Sequence, residues 1–428
     1  MNSAERGQLA LKIIRHDRDL PPDAMKEFYG DFMLAIGHLA YLVEAQDFPE
    51  ANKREAAQLI LSYASQQLRA MPDSPDDPSN PRIAAYALAL FRSSEVAAAL
   101  PEDGRRQLVD LLWKYARREN WVQPSDKAAE INDRAFANAL YALARPHFFL
   151  RSLDEDQRRF AGLLLSYLAQ EPVDPSKAVH REMLFLSLLS RAYVFRWLMS
   201  EERRSVALRV LEKAKQDVGI SPGSPEFYFR VSRVREVLFM LTREQILKAL
   251  SESERREVAA VFLEYATLER RVTVGDPGQI RIRIDPVVLS LEGLARKILF
   301  EVLPEKDAGR VAVLMYKYAS GEVQLDTERP EAPDTQILAI KVGIEHVSRE
   351  HVFKSLPPEL QRAAAILVLK YARREKGVGS PHFPVEDLTL GLVTRAREAL
   401  KREFVFNSLP EELRDQAASL RTRLRRDA

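Results

Sequence analysis

Tyrosine residues recur along this chain at nearly constant spacing, and their rings could in principle stack on nucleobases. Each closes an apolar helical pattern, and they stand at Tyr63, Tyr115, Tyr167, Tyr265, Tyr318 and Tyr371. All but Tyr167, which precedes Leu168, begin a Tyr-Ala pair. Because every one of these rings falls on the apolar stripe of its helix, we instead predict a structural ladder of packed tyrosines whose hydroxyls reach the surface.

Arginines form two further columns that could hold phosphates in a regular track. The first column ends the first helix predicted in each repeat and comprises Arg92, Arg145, Arg191, Arg243, Arg296, Arg349 and Arg402. The second column lies nine residues before the tyrosine position and comprises Arg54, Arg106, Arg158, Arg204, Arg256 and Arg362. Because acidic residues begin the neighbouring helices, we predict that both columns form ion pairs between stacked helices.

The position just before each tyrosine should be exposed and could contact a partner. It reads Ser62, Lys114, Ser166, Glu212, Glu264, Lys317, Lys370 and Arg423, so its charge changes sign along the chain. A nucleic-acid groove would need one sign throughout, whereas a mixed surface suits a protein partner. Our candidate partner contacts are Lys114, Glu264, Lys317 and Lys370, together with Trp121 in a linker. The nucleic-acid alternative predicts one basic strip formed by Lys114, Arg118, Lys317, Lys370 and Arg374.

The sequence lacks clear patterns of metal or phosphate sites. The seven histidines lack metal-ligand spacing, and Gly377-Val-Gly379-Ser380 lacks the third glycine and the lysine of a phosphate loop. Gly219-Ile-Ser221-Pro-Gly223 has the Gly-x-Ser-x-Gly spacing, but it lies in a proline-bearing linker between repeats and not between a strand and a helix. We therefore predict no catalytic residues, no cofactor and no metal. A less favoured alternative is a helical-repeat DNA-repair enzyme, which would need an acidic residue and aromatic rings to meet in a cleft.

The spacing of the tyrosines predicts the elements that position all these columns. The intervals are 52, 52, 98, 53 and 53 residues, and the long interval contains a diverged copy with Lys213 in place of the tyrosine. An eighth copy ends near Leu424. Self-similarity at this period is typical of stacked helical units. We predict a capping helix at 1–20 and repeats at about 21–71, 72–124, 125–175, 176–222, 223–277, 278–330, 331–383 and 384–428.

Each repeat is predicted to be a helical hairpin, although Pro146 directly after Arg145 leaves a third, short helix possible. The second helix starts near a proline in five repeats and near Asp154, Ser200 or Ser251 in the others. Ser251 with Glu254 and Asp154 with Gln157 have the spacing of capping boxes. Between repeats, residues 271–284 alternate apolar and polar side chains around Gly-Asp-Pro-Gly, a pattern that predicts a small β-hairpin.

The second helices carry Arg-x-x-Ala-Ala at 256–260 and 414–418 and the related sequence Arg-Glu-Ala-Ala at 54–57. Leu-Pro precedes several second helices. In these features the chain resembles the HEAT and armadillo-like α-solenoids. The resemblance implies an all-α, right-handed superhelix that offers a surface for scaffolding or peptide binding, and it implies no chemistry. The period of about 52 residues exceeds the roughly 40–47 residues usual for that class.

Composition excludes several other classes of protein. The chain has 428 residues, 64 Lys and Arg against 62 Asp and Glu, and no cysteine, so it has no strong overall charge and no disulfide or thiolate site. The N-terminal sequence does not have the pattern of a secretory signal. The most apolar stretch, 183–199, contains Arg191 and Arg196, so we expect a buried helix there and not a membrane span. We expect one continuous solenoid over 1–428, located in the cytoplasm, that acts as a non-enzymatic scaffold or adaptor for a protein or peptide. The oligomeric state stays open.

Overall fold

The computed structural model describes residues 22–45, 48–67, 79–119, 126–170, 175–216, 227–270, 273–274, 281–282, 284–323, 332–373 and 390–426. The predicted capping helix at 1–20, Trp121, Arg374 and the 377–380 segment lie outside these ranges. The described residues are helical apart from turns and one pair of two-residue strands, so the protein is all-α. Within these ranges, no helix combines the length and the apolar content that a membrane span requires.

The chain divides into two compact units, Met1–Glu171 and Pro172–Ala428, here called the N-terminal and C-terminal units. The N-terminal unit contains α1 (Pro22–Glu44), α2 (Glu50–Ala64), α3 (Ser79–Leu90), α4 (Ser94–Ala99), α5 (Glu102–Ala116), α6 (Asp126–Leu143), α7 (Pro146–Phe149) and α8 (Asp154–Ala169). The C-terminal unit contains α9 (Pro175–Leu189), α10 (Ala192–Phe195), α11 (Ser200–Lys215), α12 (Phe227–Leu241), α13 (Glu244–Ala249), α14 (Glu252–Ala266), β1 (Thr273–Val274), β2 (Arg281–Ile282), α15 (Ile284–Leu294), α16 (Lys297–Phe300), α17 (Glu305–Ser320), α18 (Ala332–Val347), α19 (Glu350–Lys354), α20 (Pro358–Ala372), α21 (Leu390–Leu400), α22 (Glu403–Asn407) and α23 (Glu411–Arg426).

From α3 onward, the described helices follow the order longer, short, longer, and we call each such group a triplet. The sequence left two or three helices per repeat open, and the described triplets have three. The short helix begins after the arginine of the first column because that arginine has extended backbone angles, as at Arg145 with φ −78° and ψ 143°. At α7 the next residue is Pro146, which suits the first turn of a helix because proline has no amide hydrogen to leave unpaired.

Within each unit, equivalent helices of successive triplets pack against one another. In the N-terminal unit α3 contacts α6, and in the C-terminal unit α12 contacts α15 and α15 contacts α18. The third helix of a triplet contacts the first helix of the next one, as α17 contacts α18. The apolar stripe predicted for α20 comprised Leu360, Ala363, Ala364, Leu367 and Tyr371. Ala364 and Tyr371 are almost fully covered, the other three are partly covered, and the neighbouring Val368 is buried. Stacking therefore removes from water the apolar surface that one triplet alone would expose.

The two predicted capping boxes have different outcomes. Ser251 forms one with Glu254, because its Oγ accepts from the Glu254 amide while its own amide donates to the Glu254 carboxylate at 2.6 Å. The prediction for Asp154 is wrong, since Leu153 is the N-cap residue of α8 and makes no side-chain capping bond. Gln157 Nε2 instead donates to the Ser152 carbonyl at 2.9 Å, so this amide stabilises the turn before the helix.

The hairpin predicted at 271–284 corresponds to a short antiparallel strand pair. Thr273 pairs with Ile282 and Val274 pairs with Arg281. Two residues per strand bury little surface, which fits the limited stability of an isolated hairpin.

The tyrosine ladder is a chain of hydrogen bonds between successive triplets. Four of the six hydroxyls donate to the carbonyl of the alanine in the preceding Tyr-Ala pair. The bonds are Tyr115 to Ala64 at 3.5 Å, Tyr167 to Ala116 at 2.9 Å, Tyr318 to Ala266 at 2.9 Å and Tyr371 to Ala319 at 3.3 Å. The expectation that the hydroxyls reach the surface is therefore corrected. Burial raises the pKa of Tyr318 and Tyr371, so their hydroxyls stay protonated donors.

The ladder changes at the diverged copy. Lys213 replaces the tyrosine and forms an ion pair with Glu182 at 2.7 Å. One triplet further on, Arg270 Nη1 donates to the Ala214 carbonyl at 3.0 Å, and its guanidinium lies over the Tyr265 ring. Tyr265 itself is 3% exposed, and Tyr63 at the start of the ladder is 2% exposed. A guanidinium thus binds the carbonyl that a tyrosine hydroxyl binds elsewhere.

The first arginine column also binds backbone rather than the predicted carboxylates in several triplets. Arg349 Nη1 donates to the Ala295 carbonyl at 3.0 Å, and Arg402 Nη1 donates to the carbonyl and hydroxyl of Ser348. Arg243 Nη1 donates to Ser190 Oγ at 2.5 Å. These acceptors end the first helix of the preceding triplet, where a cation is favoured by the helix dipole. Burial, and then Arg191, lower the pKa of Arg243 to about 10, so it stays charged.

In the second arginine column, Arg204 follows the prediction of ion pairs between helices, because it binds Glu254 of the next triplet at 2.6 Å. Two other column arginines form ion pairs one helical turn away instead: Arg296 binds Glu292 at 3.0 Å, and Arg256 binds Glu252. These pairs are half-exposed or exposed, so each contributes at most about 1 kcal/mol.

Candidate functional site

An open groove lies in the N-terminal unit where α4, α5 and α7 meet the start of α8. Its volume is about 900 Å³, a size that can bury a small ligand or a short peptide segment. Successive third helices, α5 and α8, supply two of its walls, and the short helices α4 and α7 supply the rest. We call this surface the N-terminal groove.

Aromatic rings form the floor of the N-terminal groove. The Trp113 ring meets Phe160 edge-to-face at 6.1 Å between centroids, and Phe160 meets Phe149 at 5.8 Å. Phe149 and Phe160 are buried, whereas Trp113 is only partly covered. The tryptophan lies two residues before Tyr115, on the side of α5 that faces the groove together with Arg106 and Val109. Its indole therefore extends the core outward into the groove.

The rim of the groove exposes further apolar surface. Leu153 is 75% exposed and lines the groove, and neighbouring Leu150 is 51% exposed. Phe148 also lines it and is partly exposed, although the equivalent Val194 and Val352 are fully buried. Adjacent exposed apolar side chains of this kind are typical of a surface that another molecule covers.

Charged side chains surround this apolar surface. Arg106 pairs with Glu102 one helical turn away, whereas Arg105 and Arg151 form no ion pair or hydrogen bond through their guanidiniums with the described residues. Asp156 lies in the first turn of α8, where the helix dipole stabilises a carboxylate. The groove can therefore offer guanidinium donors to a ligand beside its apolar floor.

His147 forms part of one wall. Burial lowers its pKa first, and Arg145 and Arg151 lower it further, so the imidazole is neutral near pH 7. The serines that line the groove are already engaged, since Ser94 Oγ donates to Glu95 and Ser152 Oγ donates to the Phe149 carbonyl at 2.7 Å. Neither hydroxyl is held as a nucleophile against His147. Among the described residues, no cluster of His, Asp or Glu could hold a metal ion.

The partner contacts expected from the sequence lie elsewhere. Lys114 is exposed on α5 but does not line the groove. Glu264, Lys317 and Lys370 are exposed on third helices of the C-terminal unit, and Trp121 is outside the described residues. Their contact with a partner stays a prediction. For the nucleic-acid strip, Arg118 is unfavourably placed, because its guanidinium lies over the rings of Phe136 and Tyr167 at 4.7 and 5.0 Å.

The groove was not predicted from the sequence, although two of its residues differ in type from the residues at the same positions in other repeats. Leu153 stands at the N-cap position that proline occupies at Pro49, Pro101, Pro304 and Pro357. Trp113 likewise stands where most repeats have leucine.

A comparison of the whole chain with known protein families and with curated proteins gave no match.

Proposed function

We propose that this chain is a right-handed α-solenoid scaffold of about eight repeats, similar to HEAT and armadillo proteins, that binds a polypeptide partner. Within each unit, the contacts between equivalent helices and the Tyr-to-Ala hydrogen bonds at intervals of 51 or 52 residues support a stacked architecture. Each repeat presents side chains at the same place relative to its neighbours, which is how such folds build extended binding surfaces.

The observation that carries the binding role is the exposed apolar surface of the N-terminal groove. Leu153 and Leu150 are 75% and 51% exposed beside the rings of Trp113 and Phe148. An aromatic floor within an open groove is the usual site of an anchoring contact in protein recognition. A polypeptide with apolar side chains on one face can bury this surface in the manner of a helix in a groove.

A pair of matched substitutions tests the binding role. Leu153 and Met199 both precede a third helix and are 75% and 68% exposed, but only Leu153 lines the groove. Aspartate is a favourable N-cap residue, so both Leu153→Asp and Met199→Asp should preserve the fold. A photo-crosslinking residue at Ala98, which is exposed and lines the groove, reports occupancy.

In cell extract we expect one discrete polypeptide to crosslink to position 98 of the wild-type chain and of Met199→Asp, and to be lost from Leu153→Asp. If all three chains crosslink to the same polypeptide equally well, the proposal is contradicted. It is also contradicted if no polypeptide crosslinks and the chain instead retains DNA or RNA. Turnover of a substrate by the purified chain, with no polypeptide captured, would also contradict it.

A further inference from the structure

The charges around the N-terminal groove indicate which kind of segment fits it. Glu102 already pairs with Arg106, and Asp156 lies in the first turn of α8. Both carboxylates therefore have local stabilisation, the second from the helix dipole. Arg105 and Arg151 are exposed and form no ion pair with the described residues. The unbalanced charge that a ligand meets is therefore positive.

Arg105 differs from its equivalents in four other triplets. There, the residue ten positions before the tyrosine position bonds a backbone carbonyl of the preceding short helix or turn, whereas Arg255 and Ala308 at this position make no such bond. These bonds join Gln157 to Ser152, Arg203 to Phe195, Gln361 to Leu356 and Arg414 to Leu409. Arg105 makes no such bond through its side chain. Its guanidinium is therefore available to a ligand, although the same position elsewhere stabilises the fold.

Arg151 is also specific to this triplet. It lies six residues after Arg145 of the first arginine column. Later triplets have Trp197, Ala249, Val302, Ser355 and Ser408 at this position. The fold thus does not require a cation there. Arg151 belongs to the same turn as Leu153, so one short segment of chain presents both an exposed guanidinium and an exposed apolar side chain to the groove.

We propose that the N-terminal groove binds an acidic linear segment of a partner protein, in which a bulky apolar side chain is flanked by aspartate or glutamate. The inference rests on the proposed polypeptide-binding function. The apolar side chain covers Trp113, Phe148 and Leu153, and the flanking carboxylates accept hydrogen bonds from Arg105 and Arg151. Guanidinium–carboxylate pairs of this kind can be bidentate, which adds specificity to the apolar contact.

Peptide display against the full-length chain tests the proposal. The probe is a library of random peptides of about twelve residues, a length able to span a groove of this size. Selection on the wild-type chain, with removal of peptides that also bind Leu153→Asp, should enrich Asp or Glu next to Phe, Leu, Ile or Trp. Selected peptides are then synthesised with a fluorescent label and their affinities measured by anisotropy.

Charge substitutions separate the guanidinium contacts from general effects. Arg105→Gln and Arg151→Gln should each weaken an acidic peptide by about fivefold to tenfold, as expected for a partly exposed charge-assisted pair. Repeating the selection on Arg151→Glu should shift the preference toward Lys and Arg. Arg134→Gln is the matched control, since this exposed arginine is in the same unit, pairs with Glu130 and does not line the groove. It should bind as the wild type does.

The outcomes distinguish the two proposals. Peptides that depend on Leu153 but show no acidic residues, or that bind the arginine variants equally well, would overturn the acidic-segment inference and leave the groove as a binding site. If the selection retains no peptide once those that also bind Leu153→Asp are removed, the groove's role itself would be overturned.

Discussion

His346 should make the C-terminal unit lose stability in mild acid. Its side chain is 3% exposed in α18, and its Nδ1 has no hydrogen-bond partner among the described residues. Burial is the main reason that its pKa falls to about 3, and nearby Arg349, Arg296, Arg395 and Arg402 lower it further. In the unfolded chain an ordinary histidine titrates near pH 6.5.

The sign and size of the effect follow from proton linkage. Between about pH 6.5 and pH 3 the unfolded chain binds a proton at His346 and the folded chain does not, so the free energy of unfolding falls as the pH falls. At about pH 7.5 the contribution is close to zero, and at about pH 5.5 the loss is about 1.4 kcal/mol. Because the folded pKa is far below 5.5, this loss depends little on its value.

The variant His346→Leu removes the titrating group while keeping an apolar side chain in the core. Amide hydrogen exchange of peptides from α18, corrected for the intrinsic rate at each pH, reports local stability in a chain that need not unfold in one step. Between about pH 7.5 and pH 5.5, the wild type should lose about tenfold more protection than the variant, which corresponds to about 1.4 kcal/mol. Met315→Leu, a buried apolar substitution in α17, controls for repacking. An equal loss of protection in the wild type and His346→Leu would refute the reasoning.

Three further substitutions test the contacts between triplets, with urea unfolding or hydrogen exchange as the measurement. Tyr318→Phe removes a buried hydroxyl bonded at 2.9 Å to the preceding triplet and should cost about 1–2 kcal/mol, whereas an unchanged stability would show that the ladder bond contributes nothing. Gly343→Ala places a Cβ 2.4 Å from the Ala319 amide nitrogen and should lower the free energy of unfolding by about 2 kcal/mol or more. The control Gly162→Ala has open space around its new Cβ and should raise the stability of its helix by up to about 1 kcal/mol. Gly321 ends α17 at φ 77°, so Gly321→Ala should cost about 1 kcal/mol, and a gain in stability would contradict the strain argument.

Local chemistry explains which elements were predictable. Helical periodicity placed Ala364 and Tyr371 on the predicted stripe, and the structure buries both. Leu360, Ala363 and Leu367 of the same predicted stripe are only partly covered. The Ser251–Glu254 capping box is confirmed because both of its partners lie within one helical turn. The sequence around Pro146 left two or three helices open, and the extended backbone of Arg145 decides for three.

The predictions that failed concern groups whose partners are distant in sequence. The arginine column was assigned to carboxylates, but Arg349 and Arg402 bind carbonyls of the preceding triplet. Every residue carries a carbonyl, so a pattern of side chains does not show which carbonyls a helix end leaves unpaired. For the same reason the acceptor of the Tyr318 hydroxyl was not predicted.

The sequence by itself determined the period, the all-α class and part of the buried face of the third helix, because these depend on side-chain patterns within one or two helical turns. Only the tertiary structure decided that Trp113, Phe148 and Leu153 line one groove beside Arg105 and Arg151. These residues come from two triplets and lie up to 48 positions apart, and their exposure depends on how completely stacked helices fill the space between them. This packing depends on the side chains of two neighbouring repeats, so the sequence pattern of one repeat does not predict it.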